Sequence, residues 1–135
     1  MEEMQIRANH VGMSVSDLEE AIEWFDRVLG FKLDRRAEMA GCQIAFVKND
    51  DFSIELFQHP EARPASSERS VPNEDIKTLG TKHVCFVVPD LDAMLGHFAA
   101  NNVNVALGPL TAPDGYKVAF IHGPDKVLIE FIQPS

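Results

Sequence analysis

Cysteine and basic residues are scarce in this chain. Its 135 residues include two cysteines, Cys42 and Cys85, which form no CxxC pattern. We therefore expect reduced thiols rather than a disulfide framework. Lysine and arginine number 12 against 21 aspartate and glutamate residues, which gives a formal net charge of −9. A chain this acidic lacks the basic surface that binding to nucleic-acid phosphates requires, so we expect no nucleic-acid partner.

Long apolar runs are also missing from the sequence. No stretch approaches the roughly 18 apolar residues that predict a membrane-spanning helix. Residues 1–5 are acidic and lack the basic-then-apolar order of a signal peptide. The hydrophobic content of 45% is that of an ordinary globular protein. The sequence therefore predicts a single domain over residues 1–135, located in the cytoplasm, with no membrane partner.

The chain contains an internal repeat. Residues 10–18 (HVGMSVSDL) are echoed by residues 83–91 (HVCFVVPDL), and residues 54–58 (IELFQ) by residues 129–133 (IEFIQ). Each half therefore places one histidine in an early apolar segment and one glutamate in a late one. Two related copies of a unit that cannot bury its own apolar face indicate a pseudo-symmetric pair.

The repeated histidines and glutamates are candidate metal ligands. His10 and Glu55 lie 45 residues apart, and His83 and Glu130 lie 47 residues apart. A pseudo-twofold axis would bring the four side chains to a common centre, and imidazole and carboxylate groups are ligands of divalent cations. A carboxylate buried without a partner costs several kcal/mol. The alternatives are hydrogen-bonded structural histidines and glutamates on edge strands that face water.

Hydrophobic periodicity predicts the same order of elements in both halves. Alternation over residues 6–15 predicts a strand. Ser16 with Glu19 then predicts a capped helix that ends at Gly30. In the second half, Asp90 is the predicted helix cap. The predicted strands are 31–37, 42–48 and 52–58 in the first half, and 82–88, 103–107, 116–122 and 126–132 in the second.

These elements define two βαβββ modules and an α+β fold class. The modules span residues 6–58 and 82–133 of the single domain. Residues 59–81 between them hold three prolines and several serines, which predicts a mobile connector or lid. On the first strand of each module, bulky residues alternate with small ones such as Gly12, Ser14 and Cys85 on the histidine side. We expect the histidine side to line a cavity for a small-molecule substrate.

Together these motifs resemble the vicinal oxygen chelate superfamily. The resemblance rests on the paired His and Glu strands, on the segment from His10 to Phe31 and on the closing segment 124–130 (PDKVLIE). The superfamily includes glyoxalase I, methylmalonyl-CoA epimerase, extradiol dioxygenases and bleomycin-resistance proteins. The resemblance implies that the modules form an eight-stranded, cup-shaped mixed sheet with helices on the outside. It also implies one divalent metal ion (Zn, Ni, Co, Mn or Fe), with these ligands: His10, Glu55, His83 and Glu130.

The resemblance implies a metal-dependent isomerase or lyase of the glyoxalase I or methylmalonyl-CoA epimerase type. Such an enzyme abstracts a proton next to a metal-bound carbonyl or hydroxyl, and Glu55 or Glu130 would be its catalytic base. Ser14 stands where bacterial glyoxalase I carries an arginine that binds glutathione, which argues against a glutathione substrate.

The resemblance also covers two other functions. An Fe(II) extradiol ring-cleaving dioxygenase would use His10, His83 and Glu130, although a fourth ligand from Glu55 would compete for the open face of its metal. A binding protein for an antibiotic or another small molecule would need no metal. Whichever function applies, exposed sheet edges and the apolar part of the first helix, including Trp24, predict a homodimer.

Overall fold

A computed structural model describes residues 4–135 of the chain, which form two compact units. The first unit ends at Ala62 and the second begins at Arg63. Each unit contains one four-stranded mixed sheet and one long helix, in the predicted order β-α-β-β-β. The α+β class and all eight predicted strands are confirmed. Within residues 4–135, no helix is both long enough and apolar enough to cross a membrane.

The first unit is built on a sheet with strand order β1-β4-β3-β2. Strand β1 runs parallel to β4, and the other neighbours are antiparallel. Because β1 and β4 are parallel, the connection between them must cross over one face of the sheet, and it contains the helix. The elements are β1 (His10–Ser14), α1 (Leu18–Leu29), β2 (Lys32–Met39), β3 (Cys42–Asn49) and β4 (Phe52–Gln58).

The second unit repeats this arrangement with strand order β5-β8-β7-β6. Strand β5 is parallel to β8, and the other neighbours are antiparallel. The elements are α2 (Pro72–Asp75), β5 (Val84–Val87), α3 (Leu91–Ala100), β6 (Val105–Thr111), β7 (Lys117–His122) and β8 (Leu128–Gln133). Where the sequence predicts a connector without regular structure, the chain forms a 3₁₀ turn at Ser67–Ser70 followed by α2. Asp75 is buried there and forms ion pairs with Arg69 and Lys82.

The N-cap of helix α1 lies one residue later than predicted. Its N-cap is Asp17, whose carboxylate accepts a hydrogen bond from the Glu20 backbone N–H at 3.0 Å, so the prediction of Ser16 as the cap is wrong. Two adjacent residues have capping side chains, and only Asp17 has the extended backbone directly before the first helical residue. Gly30 ends the helix in the left-handed conformation with φ of 69°, as predicted.

The repeated glutamines connect each sheet to its helix. The Leu18 backbone N–H at the start of α1 donates to Gln58 Oε1 at 2.6 Å, and that of Leu91 in α3 donates to Gln133 Oε1 at 2.8 Å. Each helix N-terminus thereby gains an acceptor for a backbone N–H that has no partner within the helix. The glutamine of each repeated segment is structural, and it points to the helix side of its sheet.

The opposite face of each sheet is the more open one. On β1, Met13 is buried while Gly12 and Ser14 are exposed. On β5, Cys85 is exposed, and Val88 just after the strand is buried. This agrees with the prediction that bulky residues pack beneath the helices and smaller ones share the histidine side. The cores beneath the helices include two large side chains that are fully buried, Phe25 and Phe98.

Two glycines offer a matched test of backbone constraint. Gly108 in β6 has φ of +95°, and an added Cβ would lie 2.7 Å from the Val118 carbonyl oxygen. We expect Gly108→Ala to lower the free energy of unfolding by about 1–3 kcal/mol, because alanine is strained in this conformation. Gly96 lies in α3, where an added Cβ meets nothing within 4 Å. Gly96→Ala should therefore raise stability by about 0.5–1 kcal/mol in urea unfolding. Equal effects of the two substitutions would contradict this account.

Candidate metal centre

The first unit brings His10 and Glu55 together. His10 opens β1, and Glu55 lies on β4, opposite Gly12 in the parallel pairing. His10 Nε2 is 3.4 Å from Glu55 Oε1. Strand β4 lies between β1 and β3, so Glu55 is not on an edge strand. Its side chain is only 18% exposed, and His10 provides its ionisable partner.

The second unit repeats the pair with His83 and Glu130. His83 directly precedes β5, and Glu130 lies on β8, which is also an interior strand. His83 Nε2 is 3.1 Å from Glu130 Oε1, and the glutamate side chain is 19% exposed. The alternative of glutamates on edge strands is therefore wrong for both residues. The two halves of the repeat reproduce the same contact between one imidazole and one carboxylate.

A phenylalanine supports each histidine. Phe46 is opposite Glu55 in the β3–β4 pairing, and its ring meets the His10 ring edge-on at 5.6 Å between centroids. Phe120 is opposite Glu130 in the β7–β8 pairing and meets His83 in the same way at 4.8 Å. Such contacts restrict the rotation of the imidazole. The repeated Ala-Phe segments are visible in the sequence, but their role in holding the histidines is not.

Asn9 fixes the orientation of His10. Its side-chain oxygen lies 2.7 Å from His10 Nδ1. In this contact Nδ1–H donates to the amide oxygen, so Nε2, which lies on the side of Glu55, is the ring nitrogen that could bind a metal. A histidine that binds a metal typically donates its second ring N–H to a carbonyl or carboxylate oxygen in this way. Sequence reasoning did not find Asn9, whose one signal is its position directly before His10.

Cys85 is a neighbour of Glu130 on the second pair's face. It lies opposite Glu130 in the β5–β8 pairing. Although the residue is exposed, partial burial of its thiol and the charge and hydrogen bonding of Glu130 raise the pKa of Cys85 to about 12. The thiol is therefore protonated at neutral pH, and its S–H can donate to the carboxylate.

The other histidine near the second sheet has a structural role. His122 Nε2 lies 2.7 Å from the Ser70 carbonyl oxygen, and its Nδ1 lies 2.8 Å from the Asn104 side-chain nitrogen. Both ring nitrogens are therefore used. Over residues 4–135, no third His, Cys, Asp or Glu side chain joins either His–Glu pair to form a group that could hold a metal ion within one unit. The described contacts bring the predicted ligands together two by two.

The sequence model of the Glyoxalase/Bleomycin resistance protein/Dioxygenase superfamily matches residues 7–131, and the chain belongs to this superfamily. This confirms the resemblance inferred from the repeated motifs. The chain is 28% identical to a lactoylglutathione lyase from Pseudomonas aeruginosa, over 94% of this chain and 82% of that protein. It is 29% identical to the uncharacterized protein YwbC from Bacillus subtilis, over 96% of this chain and 99% of that protein.

The fold agrees with solved structures of the same superfamily. A glyoxylase/bleomycin resistance protein/dioxygenase domain from Frankia sp. EAN1pec superposes with a TM-score of 0.80. The alignment covers 98% of this chain and 94% of that chain, at 18% identity. At this identity the similarity shows the fold alone.

Proposed function

We propose that the protein is a metal-dependent isomerase or lyase in which His10, Glu55, His83 and Glu130 hold one divalent cation (Zn, Ni, Co, Mn or Fe). One observation carries the proposal: each half of the repeat holds a histidine nitrogen and a glutamate oxygen side by side, at 3.4 Å and 3.1 Å. Membership of the superfamily supports the proposal, and so does the similarity of the chain to a lactoylglutathione lyase.

The spacing within each pair fits a shared cation. Ligand atoms bound to one ion at 2.0–2.2 Å lie roughly 2.8–3.6 Å apart at octahedral or tetrahedral angles. Both observed N–O distances fall in this range. The donor set of two imidazoles and two carboxylates suits the transition-metal ions named above. Asn9 adds the outer hydrogen bond that such a ligand set uses for orientation.

The chemistry that we propose is proton abstraction from a carbon atom next to a carbonyl or hydroxyl group of a small molecule. When bound, the divalent cation would supply Lewis-acid stabilisation of the negative charge that develops on the substrate oxygen. The two histidines are then ligands only. A glutamate takes the proton from carbon, and the sheet face with its small side chains leaves room for the substrate.

We assign the role of base to Glu55. The carboxylate of Glu130 lies 3.1 Å from His83 Nε2, and Cys85 is opposite Glu130 in the β5–β8 pairing, where its thiol can donate to the carboxylate. The contact described for Glu55 is with His10 alone, at 3.4 Å, which is too long for a strong hydrogen bond. Glu55 is therefore the carboxylate that can turn more readily from the ligand position to the substrate carbon. Glu130 holds its position as a ligand throughout.

Metal uptake is the direct test of this proposal. Protein freed of metal with a chelator and dialysed would be titrated with Zn, Ni, Co, Mn and Fe(II) salts by calorimetry. We expect one ion per set of four ligands, that is, His10, Glu55, His83 and Glu130 together. Both His10→Ala and His83→Ala should abolish binding. Binding that survives either alanine substitution would contradict the four-ligand set. A protein that binds no ion but binds small molecules would instead be a binding protein, as some superfamily members are.

The reaction class is tested on the loaded protein. Exchange of a substrate C–H proton into D₂O is followed by NMR, with 2-methyl-branched thioesters and α-hydroxythiol adducts as probes. Oxygen consumption is measured in parallel with catechols. Exchange without oxygen consumption supports an isomerase or lyase, and oxygen consumption without exchange would support the Fe(II) dioxygenase.

Asn9 should affect metal affinity without being a ligand. Asn9→Ala removes the acceptor for the His10 Nδ1 proton, and loss of such an outer partner typically lowers metal affinity about 10–100-fold. Asn9→Asp keeps an acceptor and should retain most of the affinity. The same calorimetric titration measures both variants. Unchanged affinity in Asn9→Ala would show that the 2.7 Å contact does not orient the imidazole.

We also propose that the protein is a homodimer. Strand β2 is an edge of the first sheet, and all eight of its residues are exposed, including Leu33 and the 65% exposed Met39. An uncovered edge with apolar side chains is a surface that a partner normally covers. Light scattering at micromolar concentration should report the mass of two chains. A mass of one chain would contradict the proposal.

A further inference from the structure

A bulge in β2 decides which charged side chain faces the first His–Glu pair. Leu33 is opposite Val47, whereas Arg35 is opposite Phe46, so Asp34 is an extra residue in the strand. Without the bulge, regular alternation would place Asp34 opposite Phe46. Bulges are common next to active sites, where they redirect a side chain. Here the bulge replaces an anion with a cation at this point of the sheet.

Arg35 lies in the same row of the sheet as Glu55. Arg35 is opposite Phe46 in the β2–β3 pairing, and Phe46 is opposite Glu55 in the β3–β4 pairing. Residues directly opposite each other in antiparallel strands project from the same face. Strands are about 4.8 Å apart, so the α-carbons of Arg35 and Glu55 are about 10 Å apart. A small molecule can therefore span from one side chain to the other.

The Arg35 guanidinium is stacked on the Phe46 ring. Its Cζ atom lies 3.8 Å from the ring centroid. Stacking uses the flat face of the guanidinium and leaves its in-plane N–H donors available for a bidentate partner. Over residues 4–135, none of the ion pairs includes Arg35. Its neighbour Arg36 lies on the other face of β2 and forms an ion pair with Glu19 at 2.6 Å.

The cation is present in only one half of the repeat. In the second sheet, the residue opposite Phe120 on the neighbouring strand is Leu107, an apolar side chain. Asn9 and Cys85 also distinguish the two His–Glu pairs, but Arg35 is the residue that gives one half a positive charge at this point of the sheet. A charged group at one end of a site favours a single orientation of a bound molecule.

We propose that Arg35 is a specificity residue that binds an oxyanion, a carboxylate or a phosphate-like group, at the end of the substrate remote from the reacting carbon. This inference rests on the proposed metal centre. A chain with a net charge of −9 repels anions in general, so an anionic substrate needs a local fixed cation. Arg35 supplies it with two parallel donors, the geometry that carboxylate and phosphate groups accept best.

The test uses three 2-oxo acids that differ only at the distal end. 2-Oxoglutarate carries a distal carboxylate, 2-oxo-4-phosphonobutanoate a distal phosphonate, and 2-oxopentanoate a methyl group. Dissociation constants are measured by calorimetry with Ni(II)-loaded wild type, Arg35→Met and the matched control Arg36→Met, at low ionic strength because exposed charges are screened by salt. Circular dichroism confirms that the variants are folded.

We expect wild type and Arg36→Met to prefer one or both of the acids with a distal anionic group over 2-oxopentanoate by about 10-fold or more, since hydrogen bonds between charged groups are among the stronger ones. Tighter binding of 2-oxoglutarate would indicate a carboxylate site, and tighter binding of the phosphonate would indicate a site for a phosphate-like group. Arg35→Met should lose the preference. Absence of a preference in wild type, or its equal loss in Arg36→Met, would overturn the proposal.

Failure of the metal centre is distinguished from failure of Arg35. If the protein takes up no Ni(II), the proposed function fails, and the same anions are titrated into metal-free protein while the Arg35 Nε–H signal is followed by NMR. A saturable shift with 2-oxoglutarate or its phosphonate analogue, and none with the neutral ketone 2-pentanone, supports an oxyanion site at Arg35. A signal that does not move would overturn it.

Discussion

Glu55→Gln is expected to keep the metal bound and to reduce turnover by about 10²–10⁴-fold, the usual contribution of a general base. Glutamine preserves the shape of the side chain and one oxygen ligand, but its amide cannot accept the proton from carbon. The contact of Glu55 with His10, at 3.4 Å, leaves this carboxylate more freedom than Glu130 has. The readouts are metal stoichiometry by calorimetry and C–H exchange into D₂O by NMR.

Two controls locate this effect at the proposed base. Glu61→Gln changes an exposed acid outside both sheets and should leave exchange unchanged. Glu130→Gln should weaken metal binding, because the carboxylate beside His83 and Cys85 is the proposed permanent ligand. In an extradiol dioxygenase, Glu55→Gln would be nearly silent. Wild-type protein that exchanges none of the probes but consumes oxygen with catechols would overturn the isomerase or lyase proposal.

The modules could be predicted because their signals are repeated and periodic. The βαβββ order follows from alternation in the strands and a helical stripe after each capping residue, and each signal occurs twice. The repeated segments 54–58 and 129–133 each contain a glutamate and a glutamine with different roles, which only the structure distinguishes. Glu55 and Glu130 face the histidines, whereas Gln58 and Gln133 face the helices and accept hydrogen bonds from their first backbone N–H groups.

Details that the sequence could not predict arise where one residue decides between equivalent local choices. Ser16 and Asp17 are both good N-caps, and the position of the first helical residue selects Asp17. In β2, strict alternation would place Asp34 on the face that Arg35 occupies. A bulge shifts the pattern by one residue, and nothing in the sequence marks it. Ligand support such as Asn9 is likewise defined by a side-chain contact rather than by periodicity.

The pairing within each half could also be predicted, since a histidine and a glutamate recur at nearly the same separation. Parallel pairing of the first and last strands of each module places the two residues side by side. The sequence alone cannot tell which glutamate is better held by its neighbours. That difference comes from Cys85, whose counterpart beside Glu55 is Gly12, a residue without a side chain that could donate a hydrogen bond.

Phe25→Ala and Phe98→Ala are expected to lower the free energy of unfolding by about 3–5 kcal/mol each. Both side chains are fully buried beneath the sheets of their own units, Phe25 against Phe31 and Phe98 against Phe131. Alanine removes the apolar area of the ring and leaves a cavity that the surrounding strands cannot fill.

Leu79→Ala is the matched control for these core variants. Leu79 is 97% exposed, and its truncation should change stability by less than about 0.5 kcal/mol. Urea unfolding followed by circular dichroism measures all three variants. If the repeat builds equivalent cores in both halves, the two phenylalanine variants should differ from each other by less than either differs from Leu79→Ala. A large loss for one ring and almost none for the other would mean that a single module carries the stability of the chain.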